Sequence, residues 1–175
     1  TGSESDRVLL LASLVSGLQT GLRNVLDRAI LDFVKANSDS TALELRRYEK
    51  VCEMPYDFTR KLMSVVVDGP DHERMLIAKG APEEIFRRCS RLESRGTINA
   101  MDPESVSDLQ KEYDALSADG FRVLAVAYRR IDLDKACTVE DETDLVLCGY
   151  VAFLDPPKES ARAAIEALVR GGITV

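Results

Sequence analysis

A tight turn between two strand-like runs limits this chain more than any other feature. Lys61 to Asp68 is rich in β-branched residues and alternates, Asp68-Gly69-Pro70-Asp71 is a turn signal, and Arg74 to Lys79 reads as the return strand. Runs joined so closely pair antiparallel, because a parallel pair needs a long crossover. Around this hairpin, Asp6 is placed to cap a helix reaching Ser16. A second helix carries Leu22, Val25, Leu26, Ala29, Ile30 and Phe33 as its apolar stripe, with Asn24 and Asp27 on another face. A short helix is expected over Thr41 to Tyr48, and Lys50 to Met54 leads into the hairpin with Pro55 as punctuation. Proline opens further helices at Pro82, at Asp102-Pro103 (carrying Val106, Leu109, Tyr113 and Leu116) and at Asp155-Pro156-Pro157-Lys158. Arg122 to Arg129 and Asp144 to Leu154 read as strands, Gly171-Gly172 ends the last helix, and Ile173-Thr174-Val175 begins another strand. Helices and strands do not alternate regularly. The expected class is therefore α+β, an antiparallel β-sheet flanked by helices, and not a doubly wound parallel fold.

Composition excludes several functions. A length of 175 residues predicts one domain, and Thr1 with the strand opening at the end suggests a piece of a larger protein. A net charge of −7 argues against broad binding to nucleic acid or anionic lipid. The longest apolar run, Val8 to Val15, is too short to cross a bilayer. Cys52, Cys89, Cys137 and Cys148 are scattered and His72 is the single histidine, so a zinc site has little support. Free or buried thiols in a reducing compartment are expected. Neither a G-x-x-x-x-G-K-[ST] loop, a G-x-G-x-x-G nor a G-x-S-x-G is present. The acidic loop bearing Asp132, Asp134, Glu140, Asp141 and Glu142 lacks the spacing of a Ca²⁺ loop and is expected to be solvated.

The hairpin is where chemistry gathers. Alternation puts Lys61, Met63, Val65 and Val67 on one face, and a turn centred on Pro70 would set Lys61 opposite Lys79. Two facing cations repel, so such a register implies an anion between them or a nearby carboxylate. Gly80 and Ala81 let a ligand approach the backbone, and Tyr56 offers a ring on which a base can stack. A flat ring beside two cations suits a nucleotide. The same residues also fit a Tyr56 packed in the core with both lysines solvated at strand ends.

Four ordered motifs carry a family resemblance: Tyr56-Asp57-Phe58-x-Arg60-Lys61-x-Met63-Ser64-Val65, Lys79-Gly80-Ala81, Phe121-Arg122-Val123-Leu124-Ala125 and Asp155-Pro156-Pro157-Lys158. Over nearly its whole length the chain resembles the nucleotide-binding (N) domain of P-type cation-transporting ATPases. Thr20 to Asp27, Tyr150 to Leu154 and Gly172 to Val175 look most like the bacterial magnesium-transporting members. The resemblance implies that Tyr56 stacks on adenine and that Asp27, helped by Asn24, accepts from the adenine amine or orders a nearby cation. It implies that Lys79 lines the base and ribose side, and that Lys61 and Arg122 lie nearer ribose and phosphates, with Gly80 counted among the nucleotide-binding residues. It further implies a nucleotide-binding domain over 1–154 and a hinge over 155–175 leading back to a phosphorylation domain.

ATP would be the ligand, with Mg²⁺ arriving on its phosphates. The partners would be the phosphorylation and actuator domains of the same pump, beneath a bacterial inner membrane, with the fragment monomeric. The Asp-Lys-Thr-Gly-Thr motif that holds the phosphorylated aspartate is absent, so the fragment is expected to bind ATP without hydrolysing it. Two alternatives stay open: the same domain of a calcium or other cation pump, and an interaction domain that has lost nucleotide binding.

Overall fold

The computed structural model describes residues 5–21, 24–70, 73–94, 96–132, 137–154 and 167–170. In chain order its elements are α1 (Asp6–Leu18), α2 (Val25–Asn37), α3 (Asp39–Leu45), β1 (Glu49–Asp57), β2 (Leu62–Asp68) and β3 (Arg74–Gly80). They continue as α4 (Pro82–Phe86), β4 (Cys89–Ser94), β5 (Thr97–Ala100), α5 (Pro103–Ala118), β6 (Phe121–Arg130) and β7 (Leu145–Leu154), with a 3₁₀ turn at Val139–Asp141. The strands form one seven-stranded sheet in the order β1-β2-β3-β6-β7-β4-β5. Every pairing is antiparallel except β4 with β7, so the α+β expectation holds.

Strand alternation divides the core into two layers. Met63, Val65 and Val67 of β2 join Met75 and Ile77 of β3 against Leu11, Leu14 and Val15 of α1 and Ile30 of α2. Leu62 and Val66 turn the other way, packing with Leu76, Ala125, Leu145 and Leu147 against Ile85 and Phe86 of α4, with Leu109 of α5 at the margin. The sheet thus has helices on both faces, and its strand ends lie between two helical layers.

Several local expectations change. Ser5, not Asp6, caps α1: its hydroxyl accepts from the Val8 amide at 3.4 Å, and Asp6 stands in the first turn. The third helix spans Asp39–Leu45, opened by Ser38 at its N-cap, instead of Thr41 to Tyr48. β4 and β5 were not expected, since neither shows a clear apolar alternation and β5 is exposed throughout.

β1 does not stop at Pro55 but runs through it to Asp57. It is an edge strand, where a residue without an N–H is tolerated. The pairing jumps from Met54↔Ser64 to Asp57↔Leu62, so Pro55 and Tyr56 stand against Met63 alone. This is a β-bulge, and it re-aims the ring of Tyr56.

Two expectations about polar groups also fail. Cys52 of β1 is joined to Cys137 by a disulfide, contrary to the reading of free thiols, while Cys89 and Cys148 are free. Burial pushes both of those thiols up to about 12, which keeps them protonated at neutral pH. The acidic loop is not simply solvated: Asp141 and Glu142 are buried. None of the described helices is long and apolar enough to cross a membrane. Leu22, His72, Asp134, the Asp155-Pro156-Pro157-Lys158 segment, Gly171-Gly172 and the strand expected at Ile173-Thr174-Val175 lie outside the described residues.

Candidate functional site

At the end of the sheet, where β1 turns into β2, a cleft of about 310 Å³ opens between the two helical layers. That size falls within the range of roughly 300–1,000 Å³ typical of small-molecule sites. Asn24 and Leu26 border it on the α2 side and Tyr113 on the α5 side. Tyr56 comes from β1, Lys61 from the turn after it, Met63 from β2, Lys79 and Gly80 from β3, Ala81 and Pro82 from the start of α4, and Val123 and Leu124 from β6. A smaller hollow of about 140 Å³ shares Tyr56 and Met63 with the cleft and adds Gln19, Thr20, Glu53 and Ser64 among its walls. Tyr56 and Met63 therefore line both concavities. Tyr56 is 48% exposed and its ring meets that of Phe58 edge-to-face, with centroids 5.4 Å apart and an interplanar angle of 89°. Tyr56 lines the cleft.

The lysines do not face each other. The pairing sets Met63 opposite Lys79 and Leu62 opposite Gly80, two residues away from the expected register. Lys61 falls outside the strand. It sits in the turn in the left-handed region, with φ 53°, and its side chain is exposed. The repulsion inferred from the sequence is thereby removed. Lys79 finds the carboxylate that such a pair required, in Asp27.

Asp27 and Lys79 form a buried pair beneath the cleft, 1% and 3% exposed. The Lys79 ammonium donates to Asp27 Oδ1 and, at 2.5 Å, to Ser16 Oγ. Asp27 Oδ2 accepts from Gln19 Nε2 at 2.7 Å and from the Asn24 amide at 3.4 Å. Asn24 Oδ1 in turn accepts from the Asp27 amide at 2.8 Å, which completes a capping box at the start of α2. Burial works to raise the Asp27 carboxyl, but the charge and hydrogen bond of Lys79, with Gln19 and Ser16 as further partners, hold it below its ordinary value of 3.8. Burial pulls the Lys79 ammonium below its ordinary value against the attraction of Asp27.

This pair also explains an error in reading α2. The apolar stripe through Val25 and Phe33 points outward, at 80% and 51% exposure. The buried row is Asp27, Ile30 and Val34, because a neutralised aspartate packs as a core residue.

Gly80 forms a lip of the cleft. A Cβ there would lie 2.4 Å from Leu62 Cβ and 2.5 Å from the Lys61 carbonyl oxygen, so only glycine allows this approach of the two arms. The Ala81 amide donates to that same Lys61 carbonyl at 3.0 Å.

The structure brings Tyr56, Lys61, Lys79 and Gly80 to one cleft, and Asp27 reaches it through Lys79. Arg122, the second residue of β6, is exposed and lies one position before Val123 without itself lining the cleft. Tyr113 was read only as part of an apolar helix face, yet it supplies a second aromatic wall; its i+4 neighbour Ser117 and i−3 neighbour Gln110 gave no hint of that. Among the described residues no group of three or more His, Cys, Asp or Glu side chains is set to hold a metal. The cleft can hold a flat apolar group against Tyr56 with a cation, Lys61, at its rim.

Residues 19–160 match the family model described as P-type ATPase, cytoplasmic domain N. The chain is 41% identical over 180 residues to a protein named Magnesium-transporting ATPase, P-type 1, from Escherichia coli (strain K12), which covers 100% of the chain. It is 40% identical over 177 residues to the protein of the same name from Salmonella typhimurium (strain 14028s / SGSC 2262). Calcium-transporting ATPase 1 of Lactococcus lactis subsp. lactis (strain IL1403) is 34% identical over 125 residues, 71% of the chain. The chain spans about a fifth of the length of the magnesium-transporting relatives, 19% in each case, and 14% of the calcium-transporting one. With the sheet, the motifs and the matches in agreement, this chain belongs to the P-type ATPase family and corresponds to its cytoplasmic domain N.

Proposed function

We propose that this chain is the ATP-holding domain of an ATP-driven, magnesium-transporting P-type ATPase. The observation that carries the reading is the single cleft that gathers Tyr56, Lys61 and Gly80 above the Asp27–Lys79 pair. Adenine stacks on the ring of Tyr56, between it and the apolar wall of Val123 and Leu124. Lys61, exposed at the turn after β1, meets the phosphates, and Arg122 joins it from the start of β6. Lys79 and Asp27 shape the floor under the base and ribose, with Asn24 at its edge. Mg²⁺ travels with the phosphates of the nucleotide. The γ-phosphate is handed to an aspartate on a separate phosphorylation domain, so this domain binds ATP without cleaving it.

The surrounding pump supplies the rest. Residues 1–154 act as the nucleotide-binding unit and 155–175 as the hinge to the phosphorylation domain, with the actuator domain as a further partner. The domain works as a monomeric unit on the cytoplasmic side of a bacterial inner membrane. Magnesium is preferred over calcium as the transported ion because the magnesium-transporting relatives match all of the chain at 40–41% identity, the calcium-transporting one 71% of it at 34%.

Titration of labelled protein with ATP tests the reading. One stacked ring and a partly exposed charge correspond to a Kd on the order of 0.1–several mM. Shift changes are expected at Tyr56, Lys61, Gly80 and Tyr113. No change at about 10 mM ATP, well above that range, overturns the reading in favour of an interaction domain without nucleotide binding. Tyr56→Ala is expected to weaken binding about tenfold, from a stacking contribution of roughly 1–3 kcal/mol.

A further inference from the structure

A second ion pair, its carboxylate buried and its arginine half-buried, lies on the other face of the sheet from Lys79, outside the lining of the cleft, and grips the cleft's rim. Arg60 sits in the turn between β1 and β2, directly before Lys61. Its Nη1 donates to Glu142 Oε1 at 2.6 Å and also to Oε2, and its Nη2 donates to the Pro55 carbonyl at 2.7 Å. Glu142 is 1% exposed, arrives from a loop 82 residues further on, and accepts a third bond from Ser64 Oγ at 2.8 Å. One guanidinium therefore fixes the residue before Tyr56 and, through its own backbone, the residue that precedes Lys61. Asp57 secures the same turn: its Oδ1 accepts from the Thr59 and Arg60 amides at 2.9 and 2.8 Å, and its carbonyl accepts from the Lys61 amide at 2.7 Å.

We propose that Arg60 and Glu142 are positioning residues for nucleotide binding, holding the Tyr56 ring and the Lys61 ammonium in one fixed relation to each other. Neither touches the cleft. A planar guanidinium bonded to a carboxylate and a carbonyl at once has a single orientation, which a point charge or an apolar plug would not impose. The bulge at Pro55 and Tyr56 would otherwise be free to relax, since a bulged residue lacks ladder partners. Glu142 thereby ties the loop after Cys137 to the nucleotide site through the sheet. The proposal rests on the reading of the cleft as the ATP site, and the experiment separates the two.

Glu142→Gln, which keeps the shape and removes the charge, is compared with the parent chain by amide NMR before and during an ATP titration. Without ATP, the signals of Tyr56 to Lys61 are expected to shift or broaden, while those of Ser16, Asp27 and Lys79 on the opposite face stay at the parent positions. With ATP, Kd is expected to rise roughly 3- to 10-fold, the effect of ordering one or two rim side chains on binding instead of beforehand. The double variant Arg60→Gln/Glu142→Gln is expected to bind no more weakly than the weaker single variant. A folded Glu142→Gln with Tyr56 to Lys61 unmoved overturns the proposal. Should Glu142→Gln fail to fold, Arg60→Lys, which keeps the charge and loses the fork, is read by the same signals. A parent that ignores ATP sinks the nucleotide reading alone, and the ATP-free signals then decide on positioning.

Discussion

Asp27 and Glu142, buried carboxylates on opposite faces of the sheet, solve the same problem differently. Asp27 meets a lysine that is itself 3% exposed, and helix-terminal groups from Asn24 and Gln19 fill its other oxygen. Glu142 meets an arginine that is 20% exposed and branches onward to a backbone carbonyl. The first pair is closed on itself and makes a rigid floor. The second is open at one end and passes its rigidity to the turn that bears Tyr56 and Lys61. A buried ion pair gains little stability over an apolar plug, but it fixes direction, and here the directions are those of the pocket's floor and rim.

The largest effect is expected where one partner of the closed pair is removed. Lys79→Met strands the Asp27 charge in the core and is expected to cost about 3–5 kcal/mol in urea unfolding. Asp27→Asn/Lys79→Met, with no stranded charge, should recover much of that loss. A single variant as stable as the parent would mean the floor is not held by charge. A smaller effect marks the open side, whose loop is tied by the Cys52–Cys137 disulfide. Reduction is expected to lower stability by about 2–4 kcal/mol, read as a fall in the thermal midpoint, because it frees a long loop in the unfolded chain. If reductant leaves the midpoint unchanged, the loop is held by Glu142 alone.

Acid should separate the faces further. Asp27 titrates below its ordinary 3.8 in the folded protein, so its contribution is full above that value and is lost as pH falls through the folded value. Burial also lowers Lys79 from its ordinary 10.5, so the folded state binds that proton less tightly too, and stability rises with pH near the alkaline end for the same reason. Acid unfolding followed by circular dichroism should therefore be shallower in Asp27→Asn, and an unaltered slope would place the acid sensitivity elsewhere. The smallest effect on folding is expected at the rim. Lys61→Met should change stability by no more than about 0.5 kcal/mol, as for other exposed sites, while weakening ATP in the titration.

The sequence revealed the closed pair's members more readily than their relationship. Tyr56, Lys61, Lys79 and Gly80 stand out by their chemistry and place around the hairpin, Asp27 only through the family resemblance. Their geometry was misjudged because a hairpin's register depends on where the turn centres, and a displacement of two residues carried Lys61 out of the strand without altering the face of Met63. The open pair was invisible for a different reason. Glu142 sits among Glu140, Asp141 and Asp144, a local composition that reads as solvated, and its partner lies 82 residues away. The turn of α2 was misread because hydrophobic periodicity counts Asp27 as polar, whereas its pairing with Lys79 makes it core. β4 and β5 escaped notice because they are short and half-buried or exposed, so neither shows the alternation of a strand with one face in the core.

Pro55 has an effect outside the pocket. β1 is the outermost strand of a seven-stranded sheet, and an outermost strand offers its free amides and carbonyls to any second copy of the protein that drifts alongside. At Pro55 that edge has no amide to offer, its carbonyl is already taken by Arg60, and the bulge breaks the spacing a straight partner strand would need. The feature that aims the ring into the cleft therefore also keeps the edge from templating aggregation, so selection for binding and selection for solubility would act on the same few atoms.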